Sequence, residues 1–206
     1  MLATSGAGVF TRTGDAALLR EVISMTQAQW EPSVDVVRSA PAIRSYDGLL
    51  GLIYEAARDP VLLKEALAAT VAAVSAKAGS LTIVERKRGT AVMAVTTGSS
   101  PMADFDYVER YGVVDPRAQY GMTSPVGEWF QCHRYIPPGL VEKFPFYQDF
   151  LIPYDLRWNT GTRIFDNGSP IGMIGIHSGV EQLPLEGAAL AVLERLTPHW
   201  QRALEL

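Results

Sequence analysis

The stretch Trp158-Asn159-Thr160-Gly161-Thr162-Arg163-Ile164-Phe165 is followed by Asp166-Asn167-Gly168-Ser169 and, after Pro170, by Ile171-Gly172-Met173-Ile174-Gly175-Ile176-His177. β-Branched and aromatic residues mark both flanks, and the Asn-Gly between them supplies the backbone freedom that a tight connection needs. The pattern predicts an antiparallel hairpin. A second hairpin reads from Ser80 to Glu85 and Thr90 to Thr96, joined by Arg86-Lys87-Arg88-Gly89. Gly127 to His133 is a further candidate strand. Helical stripes lie among these runs. Leu49, Leu50, Ile53 and Ala57 form one; Leu63, Ala66, Leu67, Val71 and Val74 form the next, opened by Asp59-Pro60 and ended at Gly79. Phe105 to Tyr111 reads as a short helix stopped by Gly112, and Leu140 to Leu151 as a helical segment broken at Pro145. A long closing helix runs from about Leu185, and Pro198 is expected to kink or split it. Hairpins with helices grouped between them give an α+β fold, an antiparallel sheet of about five strands with helices packed on its faces.

The chain has 206 residues, enough for one domain and an appendage. Residues 1–44 read as an N-terminal extension with one helix, begun at Asp15 and carrying Leu19, Val22, Ile23 and Trp30. Pro32 and Pro41 bracket a linker, and residues 45–206 form the main domain. Hydrophobic residues are 48% and charged residues 19%, which allows a sizeable core and excludes wholesale disorder. A formal net charge of −4 disfavours a dedicated nucleic-acid surface, which needs a basic face. The single cysteine, Cys132, excludes an internal disulfide and a cysteine-rich metal site. There is no secretory signal and no apolar run of membrane-spanning length, so the expected location is the cytoplasm, with no membrane partner.

The middle of the chain is dense in rings with polar tips: Tyr111, Trp129, Tyr147, Tyr154 and Trp158. Such rings stack on a flat or acyl ligand and orient it through a hydroxyl or indole N–H; ordinary core packing is the competing reading. Asp115, before Pro116, reads first as a helix cap and second as a carboxylate that accepts a hydrogen bond from a ligand. No nucleophile elbow, phosphate loop or dinucleotide fingerprint accompanies these residues. Three histidines without metal spacing make no metal site. Asp104, Asp106 and Glu109 read as a solvated face. The expectation is a ligand pocket with no catalytic residues, no metal and no cofactor.

Several segments resemble the amino-terminal sensory domain of LuxR-type bacterial transcriptional regulators, a GAF/PAS-like fold. They are Leu52-Ile53-Tyr54-Glu55-Ala56-Ala57 with Asp59-Pro60; Tyr111 with Asp115-Pro116; Phe146-Tyr147-Gln148-Asp149-Phe150-Leu151 with Tyr154-Asp155-Leu156; and Leu193 to Leu204 with Thr197-Pro198-His199. The resemblance covers roughly residues 46–206. Asp155 stands where the family's segment usually has glycine. In autoinducer-binding relatives an aspartate and a tryptophan hold the acyl-homoserine lactone, and Asp115 with Trp129 would correspond by spacing. Some GAF relatives attach a bilin through a Cys-His pair, but Cys132-His133 lacks the surrounding pattern. The resemblance implies a cytoplasmic small-molecule sensor, a homodimer, and an acyl-lactone-like ligand. DNA would be reached only through a helix-turn-helix domain that this chain does not contain.

The leading expectation is therefore a non-enzymatic, ligand-responsive signal-binding domain. The alternative is a ligand-free homodimerisation module using Trp30 and Trp200.

Overall fold

The computed structural model describes residues 45–86 and 90–205; the expected extension over 1–44, with Trp30, lies outside them. In chain order the elements are α1 (Tyr46–Arg58), α2 (Leu63–Ala73), β1 (Ala78–Glu85), β2 (Thr90–Thr97), α3 (Pro101–Asp106), α4 (Ala118–Thr123), β3 (Trp129–Gln131), α5 (Cys132–Tyr135), α6 (Pro138–Val141), β4 (Trp158–Asp166), β5 (Ile171–Ser178) and α7 (Gly187–Glu205). The five strands form one sheet in the order β2-β1-β5-β4-β3, each neighbouring pair antiparallel. The α+β architecture expected from the sequence is the one observed.

Local chemistry explains the helix starts. Ser45 caps α1 by accepting the Gly48 N–H at 3.1 Å, and Asp59 accepts the Val61 N–H at 3.1 Å beside Pro60. Helices α1, α2 and α7 cover the first face of the sheet. Ile53, Leu67, Leu81, Ile174, Ile176, Leu193 and Trp200 are all at most 1% exposed there. Trp200 sits inside this core and donates its indole N–H to Thr70 Oγ1 at 3.3 Å, so it is not a surface on which a second copy could dock.

Several boundaries differ from the sequence reading. Gly79 lies within β1 rather than ending α2, because its bare Cα lets Val71 and Leu67 press onto the strand; a Cβ there would come within 2.6 Å of Val71 Cγ2. The third strand holds only Trp129–Gln131, and the chain turns into α5 at Cys132, where the Ile136 N–H closes on the Cys132 carbonyl at 2.8 Å. Pro198 does not split α7, which runs unbroken from Gly187 to Glu205. One missing donor is a small loss in a helix whose Leu193, Leu196, Trp200 and Ala203 are anchored in the core.

Candidate functional site

The second face of the sheet is unlike the first. Register aligns Thr96, Ser80, Gly175, Gly161 and Phe130 in one row across all five strands. Small residues dominate this row for steric reasons. A Cβ on Gly161 would lie 2.7 Å from the Phe130 ring, which rests on that glycine, and one on Gly175 would lie 3.0 Å from Ser80 Oγ. β5 is an interior strand, yet beyond the buried pair Ile171 and Gly172 only alternate residues are sealed. Ile174 and Ile176 are 1% and 0% exposed, whereas Met173, Gly175 and His177, pointing the other way, are only half-buried. Ser80 and Thr82 on β1 share that partial cover. The floor is thus only partly covered by the rest of the described chain.

An aromatic wall packs against Ala78, which lies two residues before Ser80 on the same face of β1. It is built by two π-type turns, Tyr107–Tyr111 and Phe146–Leu151, in which the Gly112 and Ile152 N–H groups reach back five residues to the carbonyls of Tyr107 and Tyr147. Each such turn inserts a residue into helical register and re-aims the side chains around it, a device common at functional sites. Tyr111 stacks on Phe150 with centroids 4.7 Å apart and planes 13° apart. Phe150 in turn meets Phe146 and Tyr154, each at 5.6 Å. The Tyr154 hydroxyl donates to Asp106, and Asp104 accepts hydrogen bonds from Thr96 and Ser99. Asp104 and Asp106, expected on a solvated face, instead tie α3 to the end of β2 and to Tyr154 of the wall, respectively.

At one end of the wall lies a buried ionic corner. Arg117 Nε and Nη2 each donate to the Asp115 carboxylate at 2.8 Å, and the same carboxylate accepts the Arg117 backbone N–H at 2.8 Å and the Tyr107 hydroxyl at 3.1 Å. The two side chains are only 6% and 5% exposed. Burial works against the guanidinium charge, but Asp115 outweighs it and Arg117 stays ionised. The guanidinium also lies over the Phe146 ring, 4.8 Å from its centroid. Its Nη1, the Tyr147 hydroxyl and His177 Nδ1 are buried without a hydrogen-bond partner among the described residues. Burial lifts the Tyr147 hydroxyl well above the ordinary range, so it keeps its proton. The Cys132 thiol is likewise pushed up by burial, and its sulfur accepts the Asn159 N–H at 3.0 Å.

His177 makes a testable statement about pH. Its pKa is pushed down to about 3, first by burial and then by Arg117, with Asp115 acting in the opposite sense. The folded protein keeps this ring neutral, while the unfolded chain takes a proton near 6.5. Below that value the unfolded state binds more protons, so stability should fall as pH drops from 6.5 toward 3, at most by about 1.4 kcal/mol per pH unit. Asp155, Asp166 and Glu186 are held below their ordinary carboxylate values, so their losses come at lower pH. Urea melts at pH 7, 6 and 5 should show the slope in the native sequence and a flatter one in His177→Gln. Equal slopes would remove His177 as the source.

Four of the six residues proposed from sequence gather here: Tyr111, Tyr147, Tyr154 and Asp115. Trp158, at the start of β4, packs at the edge of the same cluster, with its ring 4.6 Å from the Arg157 guanidinium carbon. Trp129 does not join them. It faces the first side of the sheet and donates its indole N–H to Thr197 on α7 at 2.8 Å. The sequence reading did not single out Arg117, and it placed no site at His177. The Asp-Pro-Arg spacing carried a signal for the first, since a carboxylate held by a turn can grip a guanidinium two residues on. Nothing local marks His177, whose role depends on strand register.

Neither a family model nor a curated protein matches the sequence. Solved structures do. CepR2 of Burkholderia cenocepacia, described as an N-acylhomoserine lactone dependent LuxR family transcription factor, superposes with a TM-score of 0.57 at 16% identity, covering 76% of this chain and 91% of that one. The VqsR LBD domain of Pseudomonas aeruginosa gives 0.58 at 14% identity, covering 78% and 94%. The fold is the one these two structures have. At such identities the likeness concerns architecture. No helix among the described residues is long and apolar enough to cross a membrane.

Proposed function

We propose that this domain is a non-enzymatic sensor that takes a small apolar or amphipathic molecule between the second face of the sheet and the aromatic wall. The observation that carries the reading is the half-covered interior strand β5, on which Met173, Gly175 and His177 are only partly covered, on the sheet face where the aromatic cluster packs against Ala78. The fold likeness supports it. A route to an output also exists. Adjacent residues of β3 point to opposite faces, so Phe130 rests on the floor at Gly161 while Trp129 holds Thr197 on α7. A ligand that favours one placement of β3 would bias α7, and through it a homodimer partner or a DNA-binding domain outside this chain.

Ligand binding to the folded state should raise the melting temperature in a screen of metabolites and acyl lactones, by about 2.7 kcal/mol of added stability at a hundredfold excess over Kd. Gly175→Ala sharpens the test. Its methyl would lie 3.0 Å from Ser80 Oγ and 3.1 Å from Asn159 Nδ2, both movable ends, so the fold survives and the floor rises. The ligand-induced shift of any hit should shrink at least twofold in this variant. A hit whose shift is unchanged binds elsewhere, and a panel without a hit counts against a sensor.

A further inference from the structure

We propose that Asp155 latches the connector 179–186, between β5 and α7, onto the end of the aromatic wall, so that a displacement of the wall is passed to the start of α7. The inference rests on the sensor reading only for what would displace the wall.

The first observation is conformational. Among the described residues, Ser75 (φ 54°) and Asp155 (φ 55°) are the non-glycine residues with left-handed backbone. Each closes a helical segment in the same way. The Ala76 N–H returns to the Val71 carbonyl and the Ser75 N–H to the Ala72 carbonyl, both at 3.1 Å. The Leu156 N–H returns to the Leu151 carbonyl at 2.8 Å and the Asp155 N–H to the Ile152 carbonyl at 2.9 Å. Glycine is the usual residue at such a position, because a Cβ there is crowded by the following carbonyl. A residue that keeps its side chain in spite of that cost is held by its surroundings.

Both residues grip the same segment. Asp155 Oδ1 accepts the Val180 N–H at 3.0 Å, and the Ser75 carbonyl accepts the Gln182 side-chain N–H at 2.8 Å. Gln182 Oε1 in turn accepts the Gly179 N–H at 2.7 Å, which folds the connector into a closed turn. The second Asp155 oxygen meets Lys77 Nζ at 2.8 Å. Lys77, and after it the Val180 N–H, hold the carboxyl below the ordinary carboxylate range, so it is ionised at neutral pH. That ion pair is half exposed and adds little by itself. The Val180 bond is the part that sets position, and a glycine at 155 would offer no oxygen for it.

The junction joins elements on opposite faces of the sheet. Asp155 follows Phe146–Leu151 and Tyr154, which belong to the wall. Past Gln182 only Leu183 and Pro184 remain before Leu185, whose carbonyl is gripped by Gln131, and Glu186, which meets His133 Nε2 at 3.0 Å. Two residues, one of them a proline with fixed φ, leave little slack to absorb a shift before α7 begins at Gly187.

Hydrogen exchange read by mass spectrometry tests the latch in the native protein, Asp155→Gly and Asp155→Asn, each with and without Tyr111→Leu. The last substitution removes the ring stacked on Phe150 and so disturbs the wall. In Asp155→Gly the stretch 179–186 should exchange about tenfold faster, one hydrogen bond's worth, while β4 and β5 exchange as in the native chain. Asparagine tolerates the left-handed backbone and still presents a side-chain oxygen to the Val180 N–H, so Asp155→Asn should stay within about threefold of the native rate. Tyr111→Leu should speed exchange of 179–186 by about threefold when Asp155 is present and leave it unchanged in Asp155→Gly. Native-like exchange of 179–186 in Asp155→Gly would overturn the latch. Faster exchange throughout the sheet would overturn it too, since Asp155 would then be a general stabiliser. So would a Tyr111→Leu effect of equal size in both backgrounds, zero included. No ligand enters the experiment, so the latch can fail while the sensor stands.

Discussion

Arg117→Met is expected to cost about 3–5 kcal/mol of folding stability, far more than an arginine usually contributes. The size follows from what remains behind. Asp115 is 5% exposed, and in the native protein it is held by the Arg117 side chain through two contacts of 2.8 Å. Methionine keeps the apolar stem against the Phe146 ring but leaves the carboxylate buried with only the Tyr107 hydroxyl and one backbone N–H. Pairing Asp115→Leu with Arg117→Met should restore most of the loss, since exchanging a whole buried ion pair for apolar groups is often neutral. Urea unfolding of the native chain, the two single variants and the double variant gives the coupling directly. A single-variant cost below about 1 kcal/mol is the range of an exposed pair, and would show that the corner is open to water.

This corner also shows where sequence reading stops. The hairpins were legible because alternation and turn residues act over a few positions, as in Ile171–Ser178 with its pattern of sealed and half-covered residues. The aromatic wall was legible in composition: Tyr111, Tyr147 and Tyr154 do converge around Phe150. Trp129 and Trp158 were harder, because strand position decides which face a ring sees. One residue separates Phe130, on the floor, from Trp129, on the helix side, so an indole with the right chemistry ended up at Thr197. Arg117 and His177 were missed for another reason. Their burial is produced by elements far apart in the chain, and no local period reports it. The π-type turns had no signature either, since they arise from a closure five residues back that tertiary packing selects.

Trp200→Ala should cost about 3–5 kcal/mol, and that loss should not depend on protein concentration. The indole is 1% exposed, among the largest side chains wholly inside the first-face core, where α1, α2 and α7 meet the sheet. Its N–H donates to Thr70 Oγ1, whose own hydroxyl donates to the Ala66 carbonyl at 2.9 Å. Deleting the ring therefore opens a cavity between helices and removes one partner of a buried polar chain; both effects belong to a single subunit. Val61 on the same layer is 82% exposed, and Val61→Ala should stay within about 0.5 kcal/mol of the native chain. Equilibrium unfolding at two protein concentrations a hundredfold apart, with sedimentation of the folded species, separates the alternatives. A Trp200→Ala protein of native stability that merely changes its association state would move this tryptophan to an interface between copies. That result would revive the ligand-free dimer reading, because the helix layer would then be built for a partner rather than for its own core.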